Sequence, residues 1–278
     1  MLFLETLMYL TNEIIAKLEK LGVAPKKSLG QNFLVNKGSI EKIIEAARRL
    51  EPSFLIEVGP GLGSLTEGLL TLECPLKILE LDRVFAQYWR ERQVDVVEGD
   101  ALKWDWNLLK KTEETVLVSN LPYQISSSIV IERSVHNKTL KGMVLMFQKE
   151  VAERIAAKPR TEAYGLLSVI AQNFWNITWV LDAGARDFYP PPKIASRVLA
   201  FDPRFDYAGS KKDFLKVVKA GFAQRRKFLI SNLKVLGGSA NDEVLRGIFD
   251  ALGLSHKVRA EELSVQQWRD LTHKIFGA

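Results

Sequence analysis

Residues 54–63, FLIEVGPGLG, constrain the fold of this chain more than any other stretch. FLIEV reads as a strand buried on both faces, the pattern of a central strand in a parallel sheet. The run Gly59-Pro60-Gly61-Leu62-Gly63 ends it. A helix is expected from Ser64, which fits an N-cap with Glu67 completing a capping box. LKILEL (Leu76 to Leu81), DVVEGD (Asp95 to Asp100), TVLVSN (Thr115 to Asn120) and KGMVLMFQ (Lys141 to Gln148) read as further strands. Helical stretches separate them, Val84 to Arg92 being the clearest. Strands alternating with helices imply an α/β fold, a parallel sheet with helices on both faces. FWNITWVL (Phe174 to Leu181) and SRVLAF (Ser196 to Phe201) read as strands added at the far edge.

At 278 residues the chain is long for one core and is expected to form two domains, residues 1–202 and 203–278. Beyond Pro203 the apolar residues recur at helical spacing: Phe214-Val217-Val218, Phe228-Leu229-Leu233, Val244-Leu245-Ile248-Phe249 and Trp268-Leu271-Ile275. Gly237-Gly238 and Gly253 break the pattern, which describes a small all-helical domain. Residues 2–21 read as an amphipathic helix packed on the body, with Leu4, Leu7, Met8, Ile14, Ile15 and Leu18 against Glu13, Lys17 and Lys20. Glu5 interrupts the apolar N-terminus well short of the ~18 residues a membrane span needs, so no membrane association is expected. One cysteine, Cys74, allows no internal disulfide and fits a reducing cytoplasm. It and three scattered histidines offer no metal-ligand spacing, so no metal is expected. The net charge is +6, and residues 201–278 carry 14 Lys and Arg against 9 Asp and Glu. A surplus held in one module points to a polyanionic partner, nucleic acid being the commonest.

The ends of successive strands carry the chemistry. A glycine-rich turn after the first strand stands where a doubly wound sheet places its ligands. Glu80, 21 residues after Gly59, lies near the end of the second strand, where a carboxylate can accept both hydroxyls of a ribose. Asp100 closes the third, where a carboxylate can take the exocyclic amine of an adenine. A nicotinamide enzyme shares some of this, but GPGLG is not GxGxxG and no later segment offers a hydride-transfer acid or base. The three ends together point to S-adenosylmethionine, and a methyl acceptor then belongs at the fourth. There stands Asn120-Leu121-Pro122-Tyr123: an amide, a carbonyl, a fixed backbone and an aromatic face.

GQNFL, EVGPGLGSLT, ELD, GDAL, NLPY, QKEVAERI, AYGLLSV, FYPPPKIAS, RRKFL and AEELS follow one another between residues 28 and 264. In that order they resemble the ribosomal RNA adenine dimethyltransferases, a family of Rossmann-like class I S-adenosylmethionine-dependent methyltransferases. The resemblance is to the housekeeping small-subunit branch more than to the macrolide-resistance methylases of large-subunit RNA, which usually carry NIPY. It implies that Asn32, Leu34, Gly59, Gly61, Glu80, Asp100 and Asn120 bind S-adenosylmethionine. It further implies that the Asn120 side-chain oxygen and the Leu121 carbonyl accept from the N6 amine of the target adenine. Pro122 would fix that loop, Tyr123 would stack on the flipped base, and Phe188 would cover its other face. The implied reaction gives N6,N6-dimethyladenosine at two adjacent adenines of 16S RNA in the assembling 30S subunit. The enzyme would be a cytoplasmic monomer, and a non-catalytic assembly factor of the same fold is the competing class.

Several residues stay open at this level. Tyr189 adjoins Phe188, and either ring could face the base. Arg225, Arg226 and Lys227 read as phosphate contacts or as a solvated helix face. Lys26 and Lys27 beside GQNFL read as RNA-backbone contacts or as plain surface. Trp104 and Trp106 are expected to cover the sheet edge, and His136, His256 and His273 to have no catalytic part.

Overall fold

The structure, a computed structural model, describes residues 2–110, 113–136, 139–237 and 241–277, with side chains from residue 10 onward. Gly238 and the side chains of Leu4, Leu7 and Met8 therefore lie outside the described residues. In chain order the helices and strands begin with α1 (Leu2–Leu21), β1 (Phe33–Leu34), α2 (Lys37–Arg48), β2 (Phe54–Val58) and α3 (Thr66–Leu70). There follow β3 (Leu76–Glu80), α4 (Arg83–Arg90), β4 (Asp95–Glu98), β5 (Thr115–Asn120), α5 (Tyr123–His136), β6 (Leu140–Gln148), α6 (Lys149–Ile155) and α7 (Leu166–Phe174). The chain continues through β7 (Trp175–Ala183), β8 (Phe188–Tyr189), β9 (Ser196–Pro203), α8 (Lys211–Gly221), α9 (Leu229–Leu233), α10 (Asp242–Ala251) and α11 (Val265–Phe276).

Seven strands form one sheet in the order β4-β3-β2-β5-β6-β9-β7. From β4 to β6 every pair is parallel, and β9 joins β6 antiparallel. This is the expected α/β architecture, with the two late strands at the far edge. The central strands β2 and β5 are buried along nearly their whole length, whereas β4 at the other edge is exposed or half-exposed throughout. A continuous apolar run thus marks the strands covered on both faces.

Contacts divide the chain into two compact units. The first comprises Met1–Ile129, Lys138–Ala152 and Ile177–Asp202. Its main apolar cluster gathers Ile43, Ile44 and Ala47 of α2, Leu55 and Ile78 of the sheet, and Val198 of β9. A second cluster joins Ile14 and Leu18 of α1 to Phe33, Val35, Leu62 and Phe85, the rings of Phe33 and Phe85 meeting edge to face at 5.9 Å. The segment KKSLGQNFL, read as an ordered loop, makes a short helical turn at Lys27–Leu29. It then enters β1, which pairs antiparallel with β8 (Phe33 with Tyr189, Leu34 with Phe188).

The capping box expected at Ser64 and Glu67 does not form. Helix α3 begins at Thr66, and the Ser64 hydroxyl is buried without a hydrogen-bond partner. The Thr66 hydroxyl donates to Glu57 across the fold at 2.7 Å, and the Glu67 N–H is taken by the Gly63 carbonyl. The Gly63 carbonyl, four residues back, takes the N–H that the expected cap would have bound.

The second unit comprises Val130–Asn137, Glu153–Asn176 and Pro203–Ala278. Three of its helices start on good side-chain caps: Ser210 accepts from the Asp213 N–H, Asn241 from Val244, and Ser264 forms a reciprocal capping box with Gln267. Phe214, Val217, Leu229, Leu233, Phe249 and Trp268 are buried at the expected helical spacing, while Phe228 and Val244 are exposed. Arg269 ties the unit's separate pieces together, donating to the side chain and carbonyl of Asn173 and to Asp206. Among the described residues no helix is long and apolar enough to cross a membrane.

The turn after β2 is tightly packed. At Gly63, where φ is +97°, a Cβ would lie 2.7 Å from the Trp89 ring. Replacing Gly63 with Ala should cost ~1–3 kcal/mol by forcing the indole aside and straining the backbone. A lowered thermal midpoint checks this, and an unchanged one would show that the turn relaxes freely.

Candidate active site

The carboxyl ends of β2, β3, β4 and β5 surround a cavity of about 170 Å³. The turn Gly59–Gly63 forms one wall. Gly61, at φ +55°, packs so closely that a Cβ there would meet the Phe33 ring at 2.8 Å. Its carbonyl accepts from the Trp89 indole N–H at 2.9 Å, and its N–H donates to the Glu80 carboxylate at 3.3 Å. Glu80 is thereby fixed at the end of β3, with its other oxygen accepting from the Asp82 N–H at 2.7 Å. Each carboxylate oxygen offers two lone pairs, so both retain capacity for a ligand's hydroxyls. Asp100 follows Gly99 at the end of β4, and one of its oxygens accepts from the Leu102 N–H at 2.9 Å.

The opposite wall combines the GQNFL segment with NLPY. The Asn120 side-chain N–H donates to the Asn32 backbone carbonyl at 3.0 Å. Because the NH2 end of the amide is used there, Oδ1 is the end left to accept from a substrate. Gln124 donates to the Ser28 carbonyl at 3.1 Å, and Lys26 and Gln31 both donate to Asp82, at 2.8 and 3.1 Å. Asp82 also caps α4 by accepting from the Val84 N–H. The loop from residue 26 to 32 is thus bonded to β3's end on one side and to the fourth strand's end on the other.

All seven residues expected at the cofactor line this one cavity: Asn32, Leu34, Gly59, Gly61, Glu80, Asp100 and Asn120. Pro122 lines it too. Leu121 is buried beside it, and Tyr123 is half-buried with its hydroxyl 3.0 Å from that of Ser196. Phe188 is only 3% exposed and belongs to the main apolar cluster with Leu34 and Ile43. Tyr189 is half-buried against the cluster of Phe33 and Phe85. Lys26 is engaged with Asp82, whereas Lys27 is exposed. Arg225 is committed inside the helical unit, donating to the carbonyls of Glu162 and Tyr164 and pairing with Glu261. Arg226 and Lys227 are exposed. Trp106 is buried with its indole N–H on the Ala101 carbonyl, and Trp104 packs on it edge to face. Among the described residues no group of three or more His, Cys, Asp or Glu could hold a metal ion.

Two buried carboxyls shape the electrostatics. Burial pushes Glu80 up to about 7, against the backbone N–H bonds from Asp82 and Gly61. Burial pushes Glu57, which also lines the cavity, up to about 8, against the hydrogen bond from Thr66. At Asp82 burial pulls the same way, but the bonds from Lys26, Val84 and Gln31 outweigh it and hold the carboxyl below its usual range. Sequence reasoning passed over Glu57, Asp82, Gln31 and Gln124. Glu57 did carry a signal, being the one ionisable residue in an otherwise apolar central strand, and Asp82 adjoins a helix start.

The raised value of Glu57 has a consequence for stability. The unfolded chain loses the proton near 4.5 and the folded chain only near 8, so the folded form binds the extra proton between those values. Stability contributed by neutral Glu57 is full below 4.5 and is lost progressively as pH rises to about 8. Glu57→Gln keeps an acceptor for Thr66 but cannot ionise. Its thermal midpoint relative to the parent should therefore rise between pH 5 and pH 8, and a pH-independent difference would show that Glu57 stays charged in the fold.

Comparison with known proteins agrees with this geometry. The family described as Ribosomal RNA adenine dimethylase matches residues 23–275. A protein of Bdellovibrio bacteriovorus named Ribosomal RNA small subunit methyltransferase A is 51% identical over 93% of this chain and 95% of its own length. One of the same name from Syntrophotalea carbinolica is 41% identical over 90% of this chain and 97% of its own. The crystal structure of a dimethyladenosine transferase from Plasmodium falciparum superposes with a TM-score of 0.71 at 25% identity, covering 86% of this chain and 95% of that one. A family match over nearly the whole chain, with its motifs gathered at the ends of four parallel strands, means that the chain belongs to the ribosomal RNA adenine dimethylase family.

Proposed function

We propose that this protein transfers methyl groups from S-adenosylmethionine to N6 of two adjacent adenines in small-subunit (16S) ribosomal RNA. The product is N6,N6-dimethyladenosine, made in the cytoplasm on the assembling 30S subunit by a monomer. The observation that carries the reading is the Asn120 amide, turned by the Asn32 carbonyl so that Oδ1 can accept, on a cavity shared with Glu80 and Asp100.

When bound, S-adenosylmethionine supplies an already activated methyl group. Glu80 would accept the ribose hydroxyls, and Asp100 the adenine amine, while the turn at Gly59 and Gly61 admits the cofactor close to the backbone. The remaining task falls to Asn120 and Leu121. An aryl amine is a poor nucleophile because its lone pair is delocalised into the ring. Two acceptors that hold its protons favour a pyramidal nitrogen and aim the lone pair at the methyl carbon. Alignment and electrostatic stabilisation then carry the reaction. No strong general base is needed, since the methylated product loses its proton readily to water. Tyr123, with its hydroxyl steadied by Ser196, offers a face for the flipped base. Phe188 would cover the base only after leaving its buried position, which makes it the less accessible of the proposed ring contacts.

Lys27, Arg226 and Lys227 are the exposed cations of the proposed RNA surface, residues 203–278 forming the module that binds the subunit. Lys26 and Arg225 already have protein partners and fit a structural part better.

Labelled cofactor and undermethylated 30S subunits should place label in dimethyladenosine of 16S RNA. Asn120→Ala should still bind subunits but lose transfer by about 100-fold or more, as removal of an aligned donor or acceptor does at other sites. Well-folded parent enzyme that transfers no label would leave only a binding factor, and label confined to 23S RNA would move it to the resistance-type methylases. Changing Arg226 and Lys227 together to Gln should reduce the slope of log affinity against log salt by about 1–2, with cofactor affinity unchanged. An unaltered slope would make the pair a solvated face.

A further inference from the structure

Asp82 ends the ELD sequence beyond β3, and nothing in the proposed reaction uses it. Its side chain is nevertheless 3% exposed and receives three hydrogen bonds, from Lys26 Nζ, Gln31 Nε2 and the Val84 N–H. Two of these donors flank the short turn Lys27–Leu29, and Gln31 closes the loop on itself by accepting from the Lys26 N–H at 2.7 Å. The next residue along is Asn32, whose carbonyl takes the Asn120 amide. Between the two ends, Gly30 lies against the backbone of Pro122 and Tyr123, with Ser28 held by Gln124.

We infer that Asp82, with Lys26 and Gln31, is a positioning element for methyl transfer: it anchors the loop whose Asn32 carbonyl turns Asn120 Oδ1 toward the acceptor. The inference rests on the proposed methyl-transfer reading and deepens it. An amide side chain by itself rotates and can present either end. Only a carbonyl held in place fixes it as donor on one side and acceptor on the other, and Asn32 stands between two supports, the buried strand residue Phe33 after it and, before it, a loop anchored by Lys26 and Gln31 on buried Asp82. Loosening that anchor leaves Asn120 in the sequence but not in register with a substrate amine. Glu80 accepts the backbone N–H of Asp82, not its side chain, so a side-chain change at position 82 leaves that cofactor-side bond in place. Lys26 acquires a protein partner in place of the RNA phosphate expected from its charge.

Asp82→Asn tests this cleanly, because Asn caps helices as well as Asp does and the fold is retained while the ion pair is lost. Lys26→Met removes the same pair from the other side. Each should lower kcat for methylation of 30S subunits by about tenfold, the scale of a modest misalignment. The KM for subunits, the salt slope of binding and the affinity for S-adenosylhomocysteine should stay within about threefold. The double variant should be no worse than either single one, and Lys26→Arg should restore most of the rate. A parent enzyme that methylates subunits alongside an Asp82→Asn variant of unchanged kcat would overturn the inference and leave the proposed function standing. So would a Lys26→Met variant whose defect is a reduced salt slope, since that marks Lys26 as a phosphate contact. A parent that transfers no methyl at all is the separate failure of the functional reading.

Discussion

The turn that follows β2 is this tight because residues 61 and 63 have no side chain. With Phe33 pressed on one and Trp89 on the other, the backbone passes close to both rings and still turns a carbonyl to the Trp89 indole and an N–H to Glu80. Each of these contacts joins the turn to a different element: β1 through Phe33, α4 through Trp89, β3 through Glu80. The mouth of the sheet is therefore braced from three sides by one five-residue stretch. The cavity keeps its shape because one of its walls is backbone, held between the Phe33 and Trp89 rings.

That bracing also explains how two carboxyls can be buried within one small cavity. A buried anion without partners is costly, and the ordinary outcome is a shift toward the neutral form. Glu57 follows that course, with a single hydroxyl donor and a value near 8. Glu80 has more backbone N–H donors and sits lower, near 7. The turn and the β3 end supply Glu80 with backbone donors, whereas Glu57 is more deeply buried and also faces the carboxylates of Glu80 and Glu67. Ligand hydroxyls would add further donors to Glu80 and favour its anion, whereas Glu57, already occupied by Thr66, has less to gain.

Much of the sheet and most of the cavity were legible in the sequence, for a physical reason. Central parallel strands must be apolar on both faces, and ligands must sit at their carboxyl ends, so position along the chain maps directly onto position in the site. Glu80, Asp100 and Asn120 follow from that rule by their places at successive strand ends. What could not be read is what depends on partners distant in sequence. The β1–β8 pair joins Phe33 to Tyr189, and neither two-residue strand has a periodicity to detect. Ser64 is a different case: it has the local chemistry of a cap, but the neighbouring Gly63 carbonyl takes the Glu67 N–H first. Lys26 and Arg225 look like free surface charge until Asp82 and the carbonyls of Glu162 and Tyr164 are beside them. Long cationic side chains reach several residues' width in any direction, so their partners are decided by the fold. The helical unit shows the same limit, since it gathers Val130–Asn137 and Glu153–Asn176 with the C-terminal segment, across breaks no composition shift marks.

The choice of an amide at position 120 bears on transferring a second methyl to the same nitrogen. An unmodified adenine amine has two protons for two acceptors, Asn120 Oδ1 and the Leu121 carbonyl on the proposed reading. After one transfer only one proton remains, and one acceptor must go without. Leaving a neutral acceptor unsatisfied costs ~1–3 kcal/mol, and a charged one costs more. A carboxylate in place of Asn120 would hold the first substrate more tightly and resist the second. The neutral amide, turned by a backbone carbonyl and not by a charge, loses less when its donor is replaced by a methyl group. Its orientation, moreover, does not depend on the substrate proton it has lost, because the Asn32 carbonyl still holds the other end. On the proposed reading, the alignment needed for the second transfer thus comes from the protein, and the substrate need only bring its one remaining proton.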